Sequence, residues 1–224
     1  MPLSIWLGLE DCLQVITARR PRAVLDAGIG FGLWGHLLRQ YLDVWSGRIR
    51  PDQWTTRIDG IEIDPARVQP HARHLYSNIF IGDICEIVPQ CAAETTYDII
   101  LFGDVLEHLP KDDALALLKT ATQLAGDLIV IRLPLGDGWR KEGREPPDHH
   151  RSQWAPNDFV GYPATIRLYD FYGNPYALVT IETAASKNQP PPDLLRHMER
   201  RLEKIEARLV DIMAAGGLNE GGGS

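Results

Sequence analysis

The chain predicts an α/β fold: a Rossmann-like, doubly wound seven-stranded sheet with an antiparallel last strand, plus a C-terminal coiled-coil helix. Three observations carry that expectation. Short β-rich runs alternate with helical spacing, as in strands joined by crossover helices. A glycine-rich turn directly follows the first strand. Late in the core, two β-rich runs flank a short Gly/Asn turn, so the parallel sheet should close with an antiparallel pair.

In order, residues 4–19 place Ile5, Leu9, Leu13 and Ile16 on one helical face, and Arg19-Arg20-Pro21 ends the helix. Residues 23–27 are a short buried strand. Helical spacing returns over 33–45 through Leu37, Leu38, Tyr41 and Leu42. Strands follow at 57–63, 78–81 and 97–102, then a helix at 111–125 carrying Leu115, Leu118, Thr122 and Leu124. A fifth strand covers 127–133. The runs 165–171 and 176–182 are separated by Tyr172-Gly173-Asn174-Pro175. The domain is expected to span 1–185, with 186–192 (SKNQPPP) a stiff linker, 193–214 an oligomerisation helix and 215–224 a flexible Gly-rich tail.

Composition narrows the function classes. A length of 224 residues suits one large domain, or one domain with an appendage. Hydrophobic residues at 44% and charged residues at 24% oppose a disordered chain. The net charge of −7 opposes a general nucleic-acid binder. No apolar run approaches the roughly 18 residues of a membrane span. The start, MPLSIWLGLEDC, lacks the basic region of a signal peptide. Cys12, Cys85 and Cys91 form no CxxC pair and are odd in number. A reduced, cytoplasmic protein without a cysteine-based zinc site is expected.

The strongest motif is Val24-Leu25-Asp26-Ala27-Gly28-Ile29-Gly30-Phe31-Gly32, a strand running into a turn whose backbone can approach a ligand closely. Gly30-Phe31-Gly32-Leu33-Trp34-Gly35 also fits GxGxxG, a weak pattern pointing to NAD. Charge separates the two readings. Asp26 would repel a pyrophosphate but attract a ligand bearing an ammonium and a sulfonium, such as S-adenosylmethionine (SAM). Glu62, ending the second strand, is placed to accept from both ribose hydroxyls. Its distance along the chain exceeds the usual ~20 residues because of the polar insert 46–56. Asp64 before Pro65 reads as a helix cap. Asp83, after the third strand, can accept from an adenine amino group, the alternative being a surface aspartate at a strand end.

The segments DAGIGFG, DGIEID, IGDI and YDIILFGDVLEHLP, in this order, resemble the class I SAM-dependent methyltransferases over about residues 20–185. The resemblance implies a seven-stranded sheet with an antiparallel last strand. It implies that Asp26 with Gly28, Gly30 and Gly32 holds the methionine end, Glu62 with its neighbour Ile63 the ribose, and Asp83 with Ile84 the adenine. Asp104 would lie beside the methyl group.

On the acceptor side, Asp104, Glu107 and His108 leave the fourth strand where open α/β sheets bind ligands. The stretch 134–154 has little periodicity, and loops this long in compact domains are usually functional or disordered. It ends in His149-His150-Arg151-Ser152-Gln153-Trp154, which resembles the His-x-Ser-x-Trp of methyltransferases of bacterial sugar and cell-surface polysaccharide pathways. A sugar hydroxyl gains from a general base. His150 is the first candidate and His149 the second, with Asp104 or Glu107 orienting the imidazole; the alternative for His108 is a hydrogen bond within its own turn. Asp104, Glu107 and a loop histidine could instead hold a divalent metal. The place after strand four reads GDVL rather than the Asn/Asp-Pro-Pro-aromatic element of amino-methylating enzymes, and Asn174-Pro175-Tyr176 falls in the last turn. The expected acceptor is therefore a small-molecule or glycan hydroxyl, not nucleic acid. Two other readings stand beside this one. One is an NAD(P)-dependent oxidoreductase or epimerase, opposed by Asp26 and by the lack of a Tyr-x-x-x-Lys pair. The other is a non-catalytic SAM-binding scaffold.

Leu195, Met198, Leu202, Ile205, Leu209 and Ile212 form an a/d seam in the last helix. Leu at a with Ile at d favours three or four strands over two, and Arg201 at g opposes Glu206 at e only in a parallel arrangement. A parallel homo-oligomer is expected, a tetramer ahead of a trimer, with a dimer third. The alternative is a helix packed on its own domain.

Overall fold

The computed structural model describes residues 5–139, 149–184 and 186. The chain divides into two units, 1–189 and 190–224, and the second lies outside the described residues. The coiled-coil seam and the tail fall there; of the expected linker 186–192, Ser186 is described, buried and donating to the Thr183 carbonyl, so it belongs to the first unit.

Seven strands form one sheet in the order β3-β2-β1-β4-β5-β7-β6. They are β1 (Ala23–Ala27), β2 (Arg57–Glu62), β3 (Asn78–Ile81), β4 (Ile99–Gly103), β5 (Leu128–Pro134), β6 (Ala164–Phe171) and β7 (Asn174–Glu182). β1 to β5 run parallel, and β7 is antiparallel to both β5 and β6. The expected antiparallel closure is present. Its turn is tighter than the four residues read from sequence. Phe171 pairs with Asn174, so only Tyr172 (φ 52°) and Gly173 (φ 82°) span the hairpin. Two consecutive positive φ values match the twist of the flanking strands, and Asn174-Pro175 therefore joins β7.

The central strands are apolar because both faces are covered. β1, β4 and β5 are buried throughout. One face packs against α4 (Ile84–Glu94) and α5 (Lys111–Leu124) through Val88, Cys91, Leu117 and Leu118. The other packs against α1 (Leu9–Arg19), α2 (Leu33–Leu42) and α3 (Pro70–Leu75) through Ile16, Trp34, Leu38 and Ala72.

Several boundaries differ from the sequence expectation. α1 begins at Leu9 rather than residue 4, because the chain turns through Gly8 at φ 69°. α2 ends at Leu42, and a single 3-10 turn, Val44–Ser46, takes up the rest of the expected helix. The polar insert 46–56 is folded around Asp43. That buried carboxylate accepts from Arg39, Arg48 and the Thr55 backbone N–H. Asp64 caps only a 3-10 turn, Pro65–Arg67, by accepting from the Ala66 N–H. The helix expected after Asp64 begins only at Pro70, as α3, and α4 has no counterpart in the sequence reading. Among the described residues no helix is long and apolar enough to cross a membrane.

Candidate active site

The strand order reverses between β1 and β4, and in such sheets the crevice beyond the carboxyl ends of those two strands is where ligands bind. Asp26 is the fourth residue of β1 and wholly buried. The Tyr76 hydroxyl donates to Asp26 Oδ2. Asp26 Oδ1 is buried without a hydrogen-bond partner. Burial pushes the carboxyl up to about 7; the Tyr76 hydrogen bond opposes this rise and the Glu62 charge adds to it.

Past Asp26 the loop turns at Gly28, where φ is 131°. A side chain there would be strained, and its Cβ would overlap Val105 Cγ2 from the segment after β4. Gly30 N donates to Glu62 Oε2 (2.8 Å), and Asp64 N donates to Glu62 Oε1 (3.1 Å). One carboxylate thus ties the glycine loop to the end of β2 while each oxygen keeps acceptor capacity. Gly82 N donates to the Glu62 carbonyl (3.0 Å), which brings the Asp83 loop alongside. Asp83 Oδ1 accepts from Cys85 N (2.8 Å) and so caps α4, while Ile84 is buried and Ile63 is about half exposed. The sequence-predicted cofactor residues thus share the carboxyl edge of β1 to β4. Gly32 caps α2 without a side-chain hydrogen bond, so the helix N-terminus faces this edge.

Gly35 has a structural explanation of its own. Its N–H donates to the Tyr76 hydroxyl (2.9 Å), and a Cβ there would overlap the Tyr76 ring. The third glycine of the GxGxxG match is thus required by a tyrosine that orients Asp26.

Asp104 follows β4 in the left-handed region, φ 59°, where Asp is tolerated better than most residues. The Tyr176 hydroxyl donates to its Oδ1 (2.5 Å), and Arg132 Nη1 lies 3.8 Å from its Oδ2. Burial, together with the Asp104 charge, holds the Tyr176 phenol well above its usual range, so Tyr176 remains the donor. Arg132 is wholly buried between the Trp34 and Tyr176 rings and donates to the carbonyls of Ile5 and Leu7. Sequence reasoning missed Tyr76, Arg132 and Tyr176. The one available signal was an arginine inside the apolar run Leu128–Pro134.

Beyond Asp104 a 3-10 turn, Leu106–His108, receives the second half of the long loop. Arg151 N and Ser152 N both donate to the Glu107 carbonyl (2.7 and 3.1 Å). The Ser152 hydroxyl donates to the Leu106 carbonyl (3.2 Å) and accepts from Trp154 Nε1 (3.0 Å). Trp154 is buried, stacked on Phe159 and under the Lys111 ammonium at 3.6 Å. In His-x-Ser-x-Trp the serine and tryptophan therefore anchor the loop and fix the histidine. His150 lies edge-on to His108, with ring centroids 5.1 Å apart. His108 Nε2 is 3.9 Å from Glu107 Oε1, and Glu107 is buried. His108 also reaches outside its own turn: its Nδ1 pairs with the His149 carbonyl at 3.0 Å. His149 joins the group by that carbonyl, its side chain being exposed. Asp104 is engaged with Tyr176 and Arg132 and is not among the grouped residues Glu107, His108 and His150.

A small cleft is bordered by Pro134, Trp139, His150 and Ser152. Trp139 stacks on Phe171 beside it, with centroids 5.5 Å apart. A second, roomier cleft lies along Asp83, Leu109, Pro110 and Asp113, and Arg151 borders both.

No protein-family model and no curated protein sequence matches the chain. Solved structures do. The 1,6-didemethyltoxoflavin-N1-methyltransferase of Burkholderia thailandensis, with 1,6-didemethyltoxoflavin and S-adenosylhomocysteine bound, superposes with a TM-score of 0.55. Identity is 16%, covering 79% of this chain and 78% of that one. The chain has the class I SAM-dependent methyltransferase fold. The magnesium protoporphyrin IX methyltransferase of Synechocystis PCC 6803, with S-adenosylhomocysteine, is similar at TM-score 0.53 and 15% identity, over 80% of this chain and 84% of that one. The N-terminal domain of EvdMO1, in the presence of S-adenosylhomocysteine and D-fucose, gives 0.54 and 14%, over 77% and 82%. This methyltransferase fold puts Asp26, Glu62, Asp83 and Asp104 on one edge of its sheet.

Proposed function

We propose that the chain is a SAM-dependent methyltransferase acting on a hydroxyl of a small molecule or glycan, a sugar hydroxyl first. The observation that carries this reading is the paired carboxylates at the switch point. Asp26 is buried with one oxygen lacking a hydrogen-bond partner, and Glu62 is braced by Gly30 N and Asp64 N. An acidic pair suits the ammonium and ribose of SAM and opposes a pyrophosphate. In this reading Asp26 and the loop of Gly28, Gly30 and Gly32 hold the methionine end. Glu62 and Ile63 take the ribose, Asp83 and Ile84 the adenine, and Asp104 flanks the transferring methyl.

Transfer is an in-line displacement. The hydroxyl oxygen forms a bond to the methyl carbon as the carbon–sulfur bond breaks, and that electron pair stays on sulfur as a neutral thioether. The enzyme's main contribution is alignment. The hydroxyl proton is released at the group of Glu107, His108 and His150, with His150 our first residue for activation and His149 the second. The Trp139 face bordering the same cleft suits the apolar side of a sugar ring. The His-x-Ser-x-Trp segment supports a sugar acceptor, as does the similarity to a domain studied with D-fucose. Three free cysteines fit a reduced, cytoplasmic setting.

Incubation with methyl-labelled SAM and a panel of sugar and phenol hydroxyls tests the proposal. Label should pass to a sugar hydroxyl and stop with His150→Ala. SAM binding without transfer to any acceptor would instead favour the scaffold.

A further inference from the structure

We infer that Glu107, His108 and His150 form a binding site for one divalent first-row transition metal. This rests on the methyltransferase reading for its use, but not for its existence. One ligand atom from each residue lies within 4.8 Å of the other two. Three ligands about 2.0–2.2 Å from one tetrahedral cation sit about 3.3–3.6 Å apart, so closure needs a side-chain movement of up to about 1.5 Å. The 3.9 Å between His108 Nε2 and Glu107 Oε1 is already close to that spacing.

The second observation is the orientation of His108. Its Nδ1 pairs with the His149 carbonyl at 3.0 Å. A carbonyl only accepts, so Nδ1 carries the proton, and in the neutral ring the Nε2 lone pair points toward Glu107. Metal-ligating histidines are held in this way by a backbone carbonyl on the far nitrogen. The segment that carries His150 is tied to the turn that carries Glu107 and His108, through Ser152 Oγ on the Leu106 carbonyl and the Arg151 and Ser152 N–H groups on the Glu107 carbonyl, so backbone bonds hold the three side chains together. Two imidazoles and one carboxylate favour Mn²⁺, Co²⁺ or Zn²⁺ over Mg²⁺ or Ca²⁺, which prefer all-oxygen shells. Three protein ligands leave positions open for an acceptor hydroxyl from the cleft that His150 borders. A coordinated hydroxyl is more acidic. A cation held there would thus supply the activation of the hydroxyl that His150 would otherwise provide as a base.

Chelator-stripped full-length protein titrated with Mn²⁺, followed by the loss of the free-ion paramagnetic resonance signal, tests the site. Co²⁺ provides a second probe by visible absorption. One equivalent should bind, and His150→Ala and His108→Gln should each weaken binding by about tenfold or more. SAM affinity, measured on the same samples, should not change, which also shows that the variants are folded. No saturable Mn²⁺ or Co²⁺ binding, or equal binding in both variants, would overturn the inference. Metal binding without SAM binding would keep the site and reject the methyltransferase reading; SAM binding without metal binding would do the reverse.

Discussion

Asp26 binds its proton until about pH 7 because burial disfavours the carboxylate, and an incoming ammonium would reverse that preference. SAM binding should therefore release a proton below pH 7. Affinity should strengthen with rising pH, approaching tenfold per unit below about 7, and level off above. Calorimetry in two buffers of different ionisation enthalpy reads the proton directly, and Asp26→Asn should abolish both effects. Glu62→Gln keeps one acceptor oxygen of two. It should weaken SAM by about 10- to 100-fold, in line with roughly 1.5–3 kcal/mol for a hydrogen bond to a charged group. An unchanged dissociation constant with the fold intact would remove Glu62 from the ribose. At this scale the sequence showed the acidic residues, because they sit beside glycines and strand ends. It hid their partners. Tyr76 lies 50 residues from Asp26, and nothing local in the chain links them.

The elements that position the site differ in how openly the sequence announces them. β1, β4 and β5 are apolar runs broken only by Asp26 and Arg132, and their order followed from alternation with helices. α4 was hidden by Pro89 inside it, which breaks the usual helical reading, and α3 is too short to show a period. The end of the loop, 149–154, lacked a pattern because its order comes from long-range bonds, chiefly those of the Arg151 and Ser152 N–H groups and the Ser152 hydroxyl to the turn after β4. Trp154→Ala should cost about 3–5 kcal/mol in urea unfolding, as a buried aromatic does. Ser152→Ala leaves the Trp154 indole N–H without its acceptor and should cost about 1–3 kcal/mol. Both variants should lower the methyl-transfer rate while SAM affinity holds.

Across the whole molecule, Asp26 and Asp43 pull stability in opposite directions with pH. The folded Asp26 carboxyl is raised to about 7, so its contribution is full below the unfolded carboxylate range and is lost as pH rises toward 7. Burial would also raise Asp43, but the Thr55 N–H, Arg48 and Arg39 outweigh it and lower the value. That contribution is present above the unfolded carboxylate range and is lost on acidification. Asp26→Asn should therefore raise the melting temperature more at pH 8 than at pH 5, as followed by calorimetric scans. The seam from Leu195 to Ile212 lies in the second unit, and we propose that it assembles the protein. Light scattering should show the chain ending at Gln189 to be smaller in oligomeric number than the full chain, and an unchanged number would reject the proposal.

The central claim is that the acidic edge of this sheet binds SAM. Its most direct measurement is calorimetric titration of the full chain with SAM, S-adenosylhomocysteine and NAD in parallel. The first two should bind saturably and one-to-one, more weakly in Glu62→Gln, and NAD should give no heat of binding. Binding of NAD in place of SAM, or SAM binding indifferent to both Asp26 and Glu62, would contradict that claim.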